Sequence, residues 1–430
     1  MIRHAACLGA LVALPLAGQA PVRLTLDEAI ARGRSQGVVA AVARTTAAVA
    51  DRRMAQRRAD LLPSVTVGGS WSRRTLNLDE FGIPFASGVT DPFSLWNVQV
   101  RGSQTLFDAS AWTRFRAARD SAVAGGADAR AVGELAAAQA GLAYLRALSA
   151  LETVRAREAD SAVAASLREQ ARALVAAGVS PAIDATRSEV QFATVLTQLE
   201  VARNQEGRAR LDLARALDLP AATALELADG LDIAGGEPVT DPAAAVAFAL
   251  AHRAELQAER GRSRVAAQAL RAIRFEYLPS LALGGQYVQS GRTLGTLNGS
   301  WLVQLGVTIP VLDGLRRPAR QQEQALRLEA QRLREHDVEQ QVTTDVRQAL
   351  LDRSSAEHQV ELAGVRRALA ERELAQASER FAAGVTGTLE TTNAQGGLIA
   401  ARDGLIQARV NAAVARVSLR RALGVLDQPQ

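Results

Sequence analysis

The ten residues LPSVTVGGSW, Leu62 to Trp71, return later in the chain as LPSLALGGQY, Leu278 to Tyr287. Each copy follows a long helical pattern. Each is followed by a second short alternating run, WNVQVRGSQTLFDA from Trp96 and WLVQLGVTIPVLDG from Trp301. Read with a period of two, Val65, Val67, Gly69 and Trp71 share one face of the first run, against Ser64, Thr66, Gly68 and Ser70. Trp96, Val98 and Val100 oppose Asn97, Gln99 and Arg101 in the second. Leu281, Leu283 and Tyr287 form the apolar face of the third, and Trp301, Val303, Leu305 and Val307 that of the fourth, against Gln304. Strands of about ten residues, apolar on one side and polar or small on the other, suit a membrane barrel with a wet interior. A β-sandwich alternates in the same way. The aromatic residues favour the membrane: Trp71, Trp96, Tyr287 and Trp301 all fall beside the hairpin loops, where an interfacial girdle at a single height is expected.

Apolar content is 48% and aromatic content only 4%. The balance is mostly Ala, Leu and Val, which suits long helices. Thr25 and Glu28 form a capping-box pattern that opens a helix expected to run to about Leu61, where Pro63 forces extended geometry. From Asp108 to Ala177 there is no proline, and an unbroken helix of that length implies packing along a coiled-coil-like seam. It ends at AAGVSP, Ala176 to Pro181, and a return helix reaches about Leu219. The second half repeats this order. Gly178 in AAGVSPAID corresponds to Gly384 in AAGVTGTLE, and RALDL at Arg215 to RALGV at Arg421, both with a spacing of 206 residues.

The expected organisation is therefore a secretory signal over 1–20 and a first repeat over 21–219, with strands at about 64–72 and 96–106 and a helical hairpin at about 109–219. A Gly-, Pro- and Asp-rich segment spans 220–241. The second repeat covers 242–430, with strands at about 280–289 and 300–310 and a hairpin at about 314–425. The fold class is mainly α with a transmembrane β part.

Every basic residue is arginine, and the one cysteine, Cys7, lies in the signal stretch. That removes phosphate-loop lysine, Schiff-base and mature thiol chemistry. His252, His336 and His358 show no shared metal spacing, and charges of both signs are interspersed along the helices, the pattern of a solvated face rather than a nucleic-acid stripe. No enzyme, cofactor or metal is expected.

Four strands leave two open edges, so they line a channel only by pairing with further copies. The doubled LPSxxxGG strand, the FDA and LDG exits, the AAGV turns and the RAL endings resemble the TolC-type outer-membrane efflux proteins over nearly the whole chain. The resemblance implies a homotrimer with a twelve-stranded barrel in outer-membrane lipid and a periplasmic helical tunnel. It also implies a periplasmic membrane-fusion adaptor, an inner-membrane RND or ABC-type transporter, and passive export of drugs, metals or other small toxic solutes. Alternatives are the duct of a type I protein secretion system, or, in a different class, a soluble periplasmic coiled-coil adaptor or scaffold. By the motif match Asp184 and Glu390 take acidic positions at a constricted periplasmic aperture, and Asn393 stands where a second acidic residue is common. Phe381 and Thr386 replace the tyrosine and arginine of the aperture links. Gly178, Val179, Gly384 and Val385 take the positions expected to meet the adaptor. Gln99, Arg101 and Gln304 are expected in the barrel interior, and Val100 and Leu305 against lipid.

Overall fold

The computed structural model describes residues 21–82, 87–231 and 241–426. The signal-type stretch over 1–20 and residues 232–240 of the inter-repeat segment lie outside them. In chain order the elements are β1 (Val22–Leu24), α1 (Leu26–Gln36), α2 (Val38–Ala59), β2 (Ser64–Arg74), β3 (Phe93–Phe107), α3 (Ala109–Ala176), α4 (Ala182–Ala216) and β4 (Leu225–Leu227). They continue with α5 (Pro242–His252), α6 (Ala254–Phe275), β5 (Ser280–Gly291), β6 (Asn298–Thr308), α7 (Arg316–Ala382) and α8 (Thr388–Leu423). Short 3-10 turns follow β2 and β5. No helix among the described residues is long and apolar enough to cross a membrane. These residues form two compact units.

One unit holds Ala41–Val132 and Ala243–Asp345. Its centre is a four-stranded antiparallel sheet in the order β2-β3-β5-β6, so the two hairpins join along β3 and β5. The helices keep the same neighbours as the strands. Gly125 of α3 lies where a Cβ would touch Ala50 of α2, and Gly261 of α6 lies where one would meet the Ala124 Cβ of α3 at 2.7 Å. Arg320 of α7 binds both Glu276 oxygens beyond the end of α6, at 2.7 and 3.1 Å.

The other unit holds Met1–Ala40, Gly133–Pro242 and Val346–Gln430. Its core gathers Ile30, Tyr144, Leu145, Leu148, Leu213 and Leu217 around the parallel pair β1–β4. The capping box at Thr25 and Glu28 is present, with both reciprocal hydrogen bonds at the start of α1. Asp229 adds a second acceptor there, taking the Leu26 N–H at 2.6 Å. The Tyr144 hydroxyl lies 3.0 Å from the same carboxylate and 3.1 Å from the Leu24 carbonyl. Burial, reinforced by the Asp229 charge, pushes this hydroxyl above its ordinary range and keeps it protonated as a donor.

The single helix expected from Leu26 to about Leu61 is broken. Gly37 takes an extended ψ of 137°, which ends α1 and starts α2 afresh. Arg253 does the same between α5 and α6 with ψ 119°. By contrast α3 runs unbroken through Gly125, Gly126 and Gly133, with Ala50 of α2 beside Gly125 and Arg34 of α1 beside Gly133.

Close approach fixes the core helices. A Cβ on Gly33 of α1 would sit 2.4 Å from the Ala140 Cβ of α3, whereas one on Gly126 would meet nothing within 4 Å. Gly33→Ala is expected to destabilise by about 1–3 kcal/mol through overpacking. Gly126→Ala should stabilise by about 0.8–1 kcal/mol through helix propensity. Thermal unfolding of the two variants checks this, and equal midpoints would contradict the packing.

Candidate functional site: a two-faced sheet and paired helical turns

Directly opposed residues on antiparallel strands share a face. Val67 opposes Val100, which opposes Tyr287, which opposes Trp301. Val65, Trp71, Val98, Leu283, Leu305 and Val307 follow the same register, so one side of the sheet is mainly apolar and solvent-facing in the protomer, with Arg73, Gln104 and Gln289 as its long polar members. Trp301 is 78% exposed. A β-bulge between Thr105 and Phe107 shifts the alternation by one residue and keeps Phe107 on this side, opposite Leu281. An exposed apolar face of this extent on a folded sheet marks an interaction surface.

The other side carries the polar set. Arg101 opposes both Thr66 and Gln286, while Gln99 opposes Gly68 and Val288, and Gln304 opposes Gly284. The Arg101 guanidinium donates to the Gln99 side-chain oxygen at 3.4 Å. Around it a groove of about 470 Å³ is lined by Arg101, Ser103, Gln286 and Gln304. Gln99, Arg101 and Gln304 thus share one face, opposite that of Val100 and Leu305.

The four girdle aromatics do not share one row of the sheet. Trp71 pairs with Trp96, their rings 6.4 Å apart, and Tyr287 pairs with Trp301. However, Trp96 lies opposite Gly291 and Tyr287 opposite Val100, so the two pairs are staggered by four residues along β3. Each hairpin sets its own pair through its turn. The stagger comes from β3–β5 pairing, which no short turn dictates.

The two turns between long helices are built alike. Gly178 and Gly384 have φ of +71° and +69°. Val179 N–H reaches the Leu174 carbonyl at 2.9 Å and Val385 N–H the Arg380 carbonyl at 3.0 Å, each with the shorter Gly N–H bond that completes a Schellman motif. The turns touch: a Cβ on Gly384 would lie 3.2 Å from Val179 Cγ1. Val179 and Val385 are exposed.

Beside these turns, two residues assigned to an aperture are buried in the protomer. Asp184 is only 3% exposed. Its Oδ1 accepts the Thr388 hydroxyl at 2.6 Å and the Thr388 N–H at 3.4 Å, so it caps α8 from α4. Gly387, the N-cap of α8, has no side chain to do this. Phe381 is fully buried. Thr386 is half-buried, its hydroxyl without a partner in the described structure. Glu390 lies 3.5 Å from Arg380, a half-exposed pair worth under about 1 kcal/mol. Asn393 is exposed.

Asp184→Ala should lose about 1–2 kcal/mol by removing the cap, and Asp184→Asn should recover much of it. Hydrogen exchange at Thr388 reads the effect, and unchanged protection in the alanine variant would contradict the capping role.

Sequence reasoning missed a buried ion network between α3 and α8. Arg157 binds Asp160 at 3.0 Å and Asp403 at 2.5 Å, and Asp160 also accepts from Arg402. Against the cost of burial, these carboxylates raise the Arg157 pKa further above its usual value. An Arg and Asp three apart on a long helix look the same when merely solvated, so the sequence carries no signal for it.

A sequence profile described as outer membrane efflux protein matches residues 29–218 and 246–425. No curated protein matches by sequence. Among solved structures, the outer membrane protein VceC of Vibrio cholerae is 16% identical over 93% of this chain and 96% of its own, with a TM-score of 0.81. The open-state outer membrane channel MtrE of Neisseria gonorrhoeae is 20% identical over 93% and 88%, TM-score 0.78. The outer membrane channel CmeC of Campylobacter jejuni is 16% identical over 93% and 85%, TM-score 0.78. At these identities the likeness is one of fold.

Proposed function

Because the chain belongs to the outer membrane efflux protein family, we propose that it is the exit duct of a tripartite efflux pump, closed from three copies in the outer membrane. The observation that carries this reading is the sheet with one mainly apolar face and two edges unpaired in the protomer. β2 and β6 run in opposite directions. The β6 edge of one copy therefore meets the β2 edge of the next antiparallel, and the same contact repeated around an axis closes a ring. Four strands per copy give twelve in a trimer, wide enough for passage, where a dimer's eight would be filled by side chains. Inside hydrocarbon each unpaired backbone group costs several kcal/mol, so closure is obligatory.

Two further features support lateral contact between copies. Val311 and Leu312, where the chain leaves the edge strand β6, are almost fully exposed in the protomer. Leu326, Leu333, Leu351 and Leu362 of α7 and Val38, Val39 and Val42 of α2 are exposed as well. A helical tunnel of several copies covers such residues.

In this reading the paired turns carrying Val179 and Val385 meet a periplasmic membrane-fusion adaptor, and an RND or ABC-type transporter in the inner membrane energises export of drugs, metals or other small toxic solutes. The duct is passive, with no catalytic residue or cofactor. The detergent-solubilised particle is expected to have the mass of three chains and to conduct ions in planar bilayers. A monodisperse single chain without conductance would refute the proposal.

A further inference from the structure

Charge on the polar side of the sheet has a single sign. The strands β2, β3, β5 and β6 contain no aspartate or glutamate. Their polar side carries Arg101 at its middle and Arg74 at the end of β2. Arg74 opposes Phe93, which lies three residues from Trp96 and therefore on the opposite face from that ring. Arg292, one residue past β5, completes the set: its guanidinium lies 5.1 Å over the Phe93 ring, and that of Arg74 lies 5.9 Å from the same ring. An aromatic ring held by two guanidiniums fixes both charges at the hairpin end of this face. Arg101 is framed by the amide side chains of the groove, Gln286 and Gln304 among its lining. Within the hairpins carboxylates enter only in the connection between β2 and β3, as Asp79, Glu80 and Asp91, and Asp79 accepts the Gly88 N–H of its own loop. Asp108, one residue past β3 at the opposite end, accepts the Ala111 N–H at the start of α3 and pairs with Arg114. The connection between β5 and β6 has none. At the helical turns, Asp184 is buried and Glu390 is matched by Arg380, so neither offers an isolated negative charge to a permeant ion.

We infer that the barrel is an anion-preferring filter, and that the cargo class it favours is small organic anions, including zwitterions that present a carboxylate or phosphate. This rests on the reading of the polar face as the wall of a closed bore. Each copy in the ring contributes the same three arginines, and low-dielectric walls focus their field into the lumen. Guanidinium and amide donors side by side offer a carboxylate successive weak contacts, enough to enter and too few to be retained. Bulk salt screens charges beyond about 8 Å at physiological ionic strength, so the preference weakens as salt rises.

The test is the reversal potential of the purified oligomer in planar bilayers under a KCl gradient, at low and at high salt. The wild type is expected to reverse on the chloride side, more strongly at low salt. Arg74→Gln/Arg101→Gln/Arg292→Gln should reduce the chloride-to-potassium permeability ratio by roughly sevenfold, since about one kT of lost bore potential acts on the anion and the cation in opposite directions. Arg101→Lys should keep the ratio, and Arg73→Gln, on the apolar side, should leave it unchanged. Recovery of the oligomer on gels controls for assembly. Cation preference in the wild type, or a ratio that does not move in the triple variant, overturns the inference while the channel reading stands. An oligomer that gives no conductance removes the channel reading itself, and the inference with it.

Discussion

Val100→Arg or Leu305→Arg should abolish recovery of the assembled protein from outer membranes. Both residues lie in mid-strand on the apolar side, Val100 between Val67 and Tyr287 and Leu305 opposite Leu283. An arginine on the lipid side of a barrel costs about 2–4 kcal/mol near the midplane. The cost recurs in every copy of the ring, and typical domains have only about 5–15 kcal/mol in total. The neighbouring variant Gln99→Arg puts the same charge on the opposite face, where water solvates it, and should assemble. Fractionation and oligomer yield decide the matter. Normal yield of both Val100→Arg and Leu305→Arg would refute the lipid-facing assignment, and loss of Gln99→Arg to the same degree would refute the division into two faces.

The second large effect is expected at Asp160, which is 2% exposed and holds Arg157 and Arg402 together. Asp160→Ala leaves two guanidiniums near a low-dielectric seam with only Asp403 for compensation, at a cost of about 3–5 kcal/mol. Asp403→Ala, at a more exposed position, should cost less. Denaturant unfolding in detergent ranks the two, and a smaller loss for Asp160→Ala would contradict the account of the network. The seam joins the first helical hairpin to the second, so its rupture should also raise hydrogen exchange in both α3 and α8.

Much of the fold was legible because it is local. The LPSxxxGG repeats and the alternation of the paired runs mark each hairpin, and the Gly-Val turns fix the ends of the long helices by positive φ. The capping box at Thr25 was legible for the same reason. What escaped depends on residues far apart in sequence. The stagger between the Trp71–Trp96 and Tyr287–Trp301 pairs is set by β3 meeting β5, across the repeats. The break at Gly37 is equally unsigned, since glycine is tolerated inside helices, as Gly125 and Gly126 show. Asp184 and Phe381 were read as aperture residues because motif position gives only nearness to the turn. Which way a side chain there turns depends on long-range packing: Asp184 bonds Thr388 of α8, 204 residues away, and Phe381 is buried. The ion network joins Asp160 to Arg402, 242 residues away.

The claim beneath all of this is that the apolar side of the sheet meets lipid while its polar side meets water. Trp301 stands on the apolar side, so a variant keeping Trp301 with Trp71, Trp96 and Trp112 changed to phenylalanine reports on that face alone. Reconstituted in bilayers, its fluorescence should be quenched by phospholipids brominated in the acyl chain and shielded from aqueous iodide. Strong iodide quenching with no response to brominated lipid would contradict the account.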